Sequence, residues 1–189
     1  MDTQTITSIA MGIALSASCG FRVFIPMLGA SAAAYFHWFT FPADMSWMGS
    51  LPALICFGTA AVLEIAAYYI PFVDNLLDTI ATPLAAVAGT ILAASFLPIA
   101  ELNPMLKWLL AIIAGGGAAT TVQAGTGLLR LASTKTTAGM GNSIVATGEN
   151  ALAISGTLLS FVVPVVIAIL FVFLIVWIWN KLVGKKKDR

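Results

Sequence analysis

Charged residues are so sparse along this chain that they punctuate it. Charge-free windows run over residues 3–21, 23–43, 45–63, 79–100, 108–129 and 150–180. A helix that crosses a bilayer needs about 20 apolar residues at about 1.5 Å each. Each of the six windows therefore predicts about one crossing. Only Arg22 separates the first two, with no polar loop, so that region fits two short helices, one broken helix or a re-entrant hairpin. The last window would be about 46 Å long as a helix, more than a bilayer core of about 30 Å requires. Gly156 and Pro164 are the positions where it would kink or divide.

The segments between windows have an interfacial character. HWFTFPADMSW (37–47) sets Trp38 and Trp47 around Pro42 and Asp44, as an aromatic belt would. PFVDNLLDTIATP (71–83) puts Phe72, Val73, Leu76, Leu77 and Ile80 on one helical face and Asp74 and Asp78 opposite, which predicts a short helix lying at the membrane surface. LPIAELNPMLKW (97–108) reads as a proline-bounded turn, and RLASTKTTAGMGNS (130–143) as the longest polar connection. Two halves, 1–100 and 104–180, echo each other. SASCGFR (16–22) and VQAGTGLLR (122–130) each run through small residues to Gly and then Arg, and each half later has a Glu beside alanines. Such an echo suggests a duplicated, inverted architecture of the kind found in small transporters.

Composition settles the class. The chain is 60% hydrophobic and 9% charged, with a mean hydropathy of +0.99. Soluble domains carry about 25% charged residues, so this is an all-α, polytopic transmembrane helical bundle. It is expected to be a single transmembrane domain over 1–180 with a basic tail over 181–189. The tail holds Lys181, Lys185, Lys186, Lys187 and Arg189, which predicts a cytoplasmic C-terminus. MDTQTITS lacks the basic start of a signal peptide, so the first apolar block is expected to be retained.

Several chemistries are not expected. Cys19 and Cys56 form no CxxC pair, His37 is the single histidine, and no GxxxxGK[ST] spacing exists. No metal, cofactor, nucleic-acid partner or enzymatic activity follows from such a sequence. Membrane lipids are the expected partners, and the Gly/Ala-rich faces are compatible with a homodimer.

The candidate site begins with Arg22, because an arginine in a bilayer costs at least about 2.5–3.5 kcal/mol and must face protein, water or a headgroup. Gly20 and Pro26 beside it weaken regular helix. A helix break frees backbone N–H groups, which with a guanidinium would bind an anion. Snorkelling of Arg22 at a helix boundary is the plainer alternative. Arg130 and Lys135 flank a stretch containing Thr137, Asn142 and two glycines that could wrap an anion, or form an ordinary solvated connection. Glu64 and Glu149 are candidate proton relays or ion-pair partners of the arginines. The glycines of AGGGAATTVQAGTG (114–127) predict close helix contact or a break.

CGFRVFIP resembles the SGxRxFLP opening of an uncharacterised bacterial integral membrane family, one built on a domain of unknown function. EIAAYYIPFVDNLLDTIATPLAAVAGTILA (64–93) is similar to that family's E…IPxVDxxxD…PxAG stretch, and TKTTAGMGNSIVATGEN (134–150) to its TTGGxxNPxxSxxED segment. The resemblance covers about residues 10–160. Cys19 stands where Ser is usual, Tyr69 where Lys is common, Ser143 in place of Pro and Asn150 in place of Asp. The resemblance implies a multi-pass protein of the bacterial cytoplasmic (inner) membrane and no particular reaction. The expected function is a small permease or flippase for an anionic solute or lipid headgroup, held around Arg22 and Arg130. The alternative is a non-transporting scaffold or assembly partner. Burial of Arg22 against Glu64 or Glu149 with no cavity would favour the structural role.

Overall fold

The computed structural model describes residues 3–97 and 103–184, and every regular element among them is helical. In order these are α1 (Thr3–Ser18), α2 (Phe24–Tyr35), a 3-10 helix (Ala43–Gly49), α3 (Leu51–Ala67), α4 (Pro71–Phe96), α5 (Pro104–Ala111), a π-helical turn (Ile112–Gly116), α6 (Gly117–Thr137), α7 (Asn142–Val162) and α8 (Pro164–Gly184). Four stretches are long and apolar enough to cross a membrane: Leu76–Phe96, Pro104–Thr137, Asn142–Val162 and Pro164–Lys181. The 3-10 helix and α3, bent by 59°, make a fifth if taken together. The described helices thus supply four or five spans where the charge-free windows predict about six.

The difference lies in the first two windows, where α1 and α2 form a doubled-back hairpin. A Cβ on Gly12 of α1 would lie 3.0 Å from Phe96 at the end of α4. Farther along α1, Ser16 Oγ donates to the Gly89 carbonyl at 2.7 Å, so α1 runs antiparallel to α4. The chain turns at Cys19–Phe21 through tight bonds, Gly20 N to Ala17 O and Phe21 N to Ser18 O, both 3.0 Å. Pro26 falls in the first turn of α2, where its missing N–H costs nothing; a helix continuing through it would clash one turn back, at Arg22. Then α2 returns toward the end from which α1 came. Gly29 packs on Thr157 near the end of α7, and Ser31 Oγ donates to Met48 O of the 3-10 helix at 2.6 Å.

Two ends of the bundle are thereby defined. The turn end carries the α3–α4 corner and the α6–α7 turn; the opposite end carries the 3-10 helix and the α7–α8 break. Val163 is non-helical and Pro164 starts α8, so the long last window divides at its proline.

Three local expectations are corrected. Residues 71–83 are no separate surface helix: α4 is continuous from Pro71 to Phe96 through Pro83. Packing of its small residues on α1 and the π-helical turn outweighs the hydrogen bond Pro83 removes. Residues 130–137 are no loop either, because α6 runs unbroken through Arg130 to Thr137. The polar connection shrinks to 138–141, where Ala138 (φ 53°) and Gly139 (φ 88°) adopt left-handed conformations. Of the break or close contact predicted for the glycines of 114–127, α6 shows no break from Gly117 to Thr137, while Gly115 and Gly116 lie in the π-helical turn and pack closely on α4. A Cβ on Gly89 would sit 2.6 Å from Gly115 O, and one on Gly116 would sit 2.6 Å from Thr90 Oγ1. The tail residues Lys185, Lys186, Lys187 and Arg189 and the Asp74 side chain lie outside the described residues.

Candidate functional site

Asp78 on α4, Arg130 on α6 and Glu149 on α7 each lie two helical turns in from the turn end. At 1.5 Å per residue this is about 10 Å deep. The hairpin tip brings Arg22 to the same level from the other side. Arg22 is 1% exposed, Arg130 2% and Glu149 4%.

Arg22 makes four hydrogen bonds to the protein. Its Nε donates to Asn150 Oδ1 at 2.6 Å, Nη1 to Glu149 Oε2 at 2.7 Å and to Phe21 O at 2.9 Å, and Nη2 to Ala146 O at 3.2 Å. Arg130 Nε donates to Glu149 Oε1 at 3.1 Å, and its Nη2 to Glu149 Oε2. Two guanidiniums thus converge on one carboxylate oxygen. Arg130 Nη1 also lies 3.6 Å from Asp78 Oδ1. The Tyr68 ring, just past the end of α3, is 3.9 Å from the Arg22 guanidinium carbon and 4.2 Å from that of Arg130. Such contacts contribute about 0.5–2 kcal/mol each.

Glu64 has a different role from pairing with an arginine. Its Oε1 accepts the Val23 N–H at 2.8 Å and its Oε2 the Phe24 N–H at 3.0 Å. A carboxylate from α3 thus caps the N-terminus of α2, where donors and helix dipole favour negative charge. The helix break does free backbone N–H groups for an anion, and the anion present is the protein's own.

The remaining candidates divide. Gly20 serves spacing: a Cβ there would lie 2.5 Å from Ala119 O and from Val122 Cβ. Lys135 and Thr137 are exposed in the last turn of α6 and do not reach the arginines. Thr137 Oγ1 accepts the Gly141 N–H at 2.8 Å and holds the turn, and Asn142 Nδ2 donates to Thr134 Oγ1 at 3.1 Å.

Residue patterns did not single out Tyr68, and Asp78 read as the wet face of a surface helix. Tyr69 and Asn150 were visible only as departures from the resembled motifs. They turn out to be bonded: Asn150 Nδ2 donates to Tyr69 OH at 3.3 Å, and Tyr69 OH shares a 2.9 Å bond with Thr147 Oγ1. Where the resembled pattern has Lys and Asp, this chain has a neutral hydroxyl–amide pair. Exposed Tyr69 and Thr147 lead by these bonds through Asn150 to Arg22.

Open grooves of about 600, 440 and 300 Å³ line the outside of the bundle, and none of them is lined by Arg22, Arg130 or Glu149. An external anion could be held by both guanidiniums only in place of Glu149.

No curated protein and no solved structure matches the chain. A family model described as Domain of unknown function (DUF4126) matches residues 9–183. With apolar helices of spanning length and a match over nearly the whole chain, this is an integral membrane protein that belongs to the DUF4126 family.

Proposed function

We propose that the protein is a small permease or flippase for an anionic solute or lipid headgroup, and that Arg22 and Arg130 hold the anion. The observation behind this reading is the convergence of both guanidiniums on one Glu149 oxygen. A carboxylate bridged by two arginines is what a bound carboxylate or phosphate would look like. Glu149 is then the internal anion of a closed state, and transport needs a second conformation in which substrate replaces it. The broken hairpin that carries Arg22 is the kind of element on which transporters build such sites. Lys135 near the end of α6 and Lys181 near the end of α8 share the turn end, which supports a cytoplasmic placement of that end and of the C-terminus.

The second reading is a non-transporting scaffold, in which the cluster only clasps the fold. The satisfied bonds of Arg22, and grooves that do not reach either arginine, favour it for the conformation described. Reconstitution into liposomes separates the two. The permease reading expects flux of inorganic phosphate, or transbilayer movement of a fluorescent phosphatidylglycerol, that Arg22→Ala abolishes while the protein still inserts. A scaffold moves neither probe and crosslinks to a defined partner.

A further inference from the structure

The bundle has a seam that divides it unequally. The hairpin arm α2, the 3-10 helix and α3 pack mainly on one another, whereas α1, α4, α6, α7 and α8 form a mutually packed body. On its outer side the open 440 Å³ groove runs between the α2–α3 unit and α4, above a buried apolar cluster in which Met27, Met48 and Phe57 meet Ala88 and Leu92. Val23, Phe24, Met27, Cys56 and Phe57 line one wall, and Leu84, Val87, Ala88 and Ile91 the other. On its inner side α2 meets α7 at Gly29 and Thr157. There the buried Thr157 Oγ1 has no hydrogen-bond partner among the described residues, so this inner seam lacks a polar fastening at that level. At the opposite end the 3-10 helix stays tied to the body, by the half-exposed Asp44 with Lys107 of α5 at 2.6 Å and by Ser95 Oγ of α4 donating to Met48 Sδ at 3.2 Å, which makes that end the pivot. The buried polar fastening is at the hairpin tip, where Arg22 is tied to Glu149, Asn150 and Ala146 of α7. Glu64, which caps α2 from α3, belongs to the unit itself and moves with it.

We infer that α2, the 3-10 helix and α3 form a movable unit, latched to the body at Arg22 by Glu149 and Asn150, whose release opens the groove against α4. Hydrogen bonds to charged groups are among the strongest single fastenings in a fold, and interfaces between packed units switch between discrete arrangements. Release frees the Arg22 guanidinium from Glu149, the step that the permease reading requires; the inference rests on that reading for its purpose and on the seam for its existence. Cys19 reports it. The thiol is fully buried at the hairpin tip and packs in one cluster with Val23 and Met27. Cys56, the other cysteine, is exposed.

The test uses full-length Cys56→Ala protein in liposomes and the rate at which N-ethylmaleimide labels Cys19. Glu149→Gln is expected to raise that rate about tenfold or more, and Asn150→Ala, which removes one bond to the guanidinium, about threefold. Unchanged slow labelling in both variants, each eluting as a single folded species, would overturn the latch. Should Glu149→Gln fail to fold, Asn150→Ala decides alone by the same criterion. Faster labelling without flux of phosphate or phosphatidylglycerol keeps the latch and removes the permease. Flux altered by Glu149→Gln with Cys19 still unreactive keeps the permease and removes the latch.

Discussion

The charged cluster at the turn end and the glycine seam between α4 and the π-helical turn hold helices together by opposite means. In the cluster, Arg22, Arg130 and Glu149 supply charge-assisted bonds to otherwise costly buried groups. In the seam, Gly89 and Gly115 let backbones touch, and Gly116 leaves room for the Thr90 side chain. Lipid tails are as apolar as leucine, so helix association in a bilayer depends on close packing and on hydrogen bonds rather than on hydrophobic burial. The seam is indifferent to anything but shape. The cluster depends on the ionisation and occupancy of three side chains, so it is the region where a ligand could change the structure.

Substitutions in the two regions should therefore fail differently. The largest effect is expected from Glu149→Ala, which leaves two buried guanidiniums facing each other: a loss of about 3–5 kcal/mol, measured by thermal or denaturant unfolding in detergent. Gly115→Ala should cost about 1–3 kcal/mol, since the added methyl meets the Gly89 backbone. That loss should not change with added phosphate, whereas the cluster variants should respond to it. Asn150→Asp brings a further carboxylate beside Glu149 and should cost about 1–2 kcal/mol, most of it recovered when Tyr69→Lys is added. A double-mutant cycle without coupling would show that the Tyr69–Asn150 contact is incidental. The smallest effect is expected from Ala138→Gly, which relieves a left-handed alanine and should add about 0.5–1 kcal/mol; a loss instead would mean that the α6–α7 turn is not strained there.

The same comparison explains what could be read from residues alone. The membrane class, the interruption at Arg22, the division at Pro164 and the close packing of the glycine run all follow from local pattern, because each depends on the chain near it. Arg22, Arg130 and Glu149 were legible as charges that needed partners. Their pairing was not, because it rests on how α6, α7 and the hairpin tip come together. Glu64 shows the limit: its position suggested an ion pair, and only the doubling back of α2 turns it into a helix cap. Asp78 was misread for a related reason. Its spacing from Asp74 suggests a wet face, but α4 continues past Pro83 and packs inward, which carries Asp78 toward Arg130. Gly20 read as a residue that weakens the helix beside Arg22, yet its backbone is ordinary and its lack of a side chain is what lets the tip approach α6.

The functional claim turns on whether Arg22 carries an anion or merely closes a fold. Proteoliposomes containing wild-type protein or Arg22→Ala, assayed for radiolabelled phosphate efflux and for transbilayer movement of fluorescent phosphatidylglycerol, address it most directly. The account predicts movement of at least one probe by the wild type and none by Arg22→Ala at equal incorporation. Equal movement by both proteins, or no movement of either probe by the wild type, would contradict it.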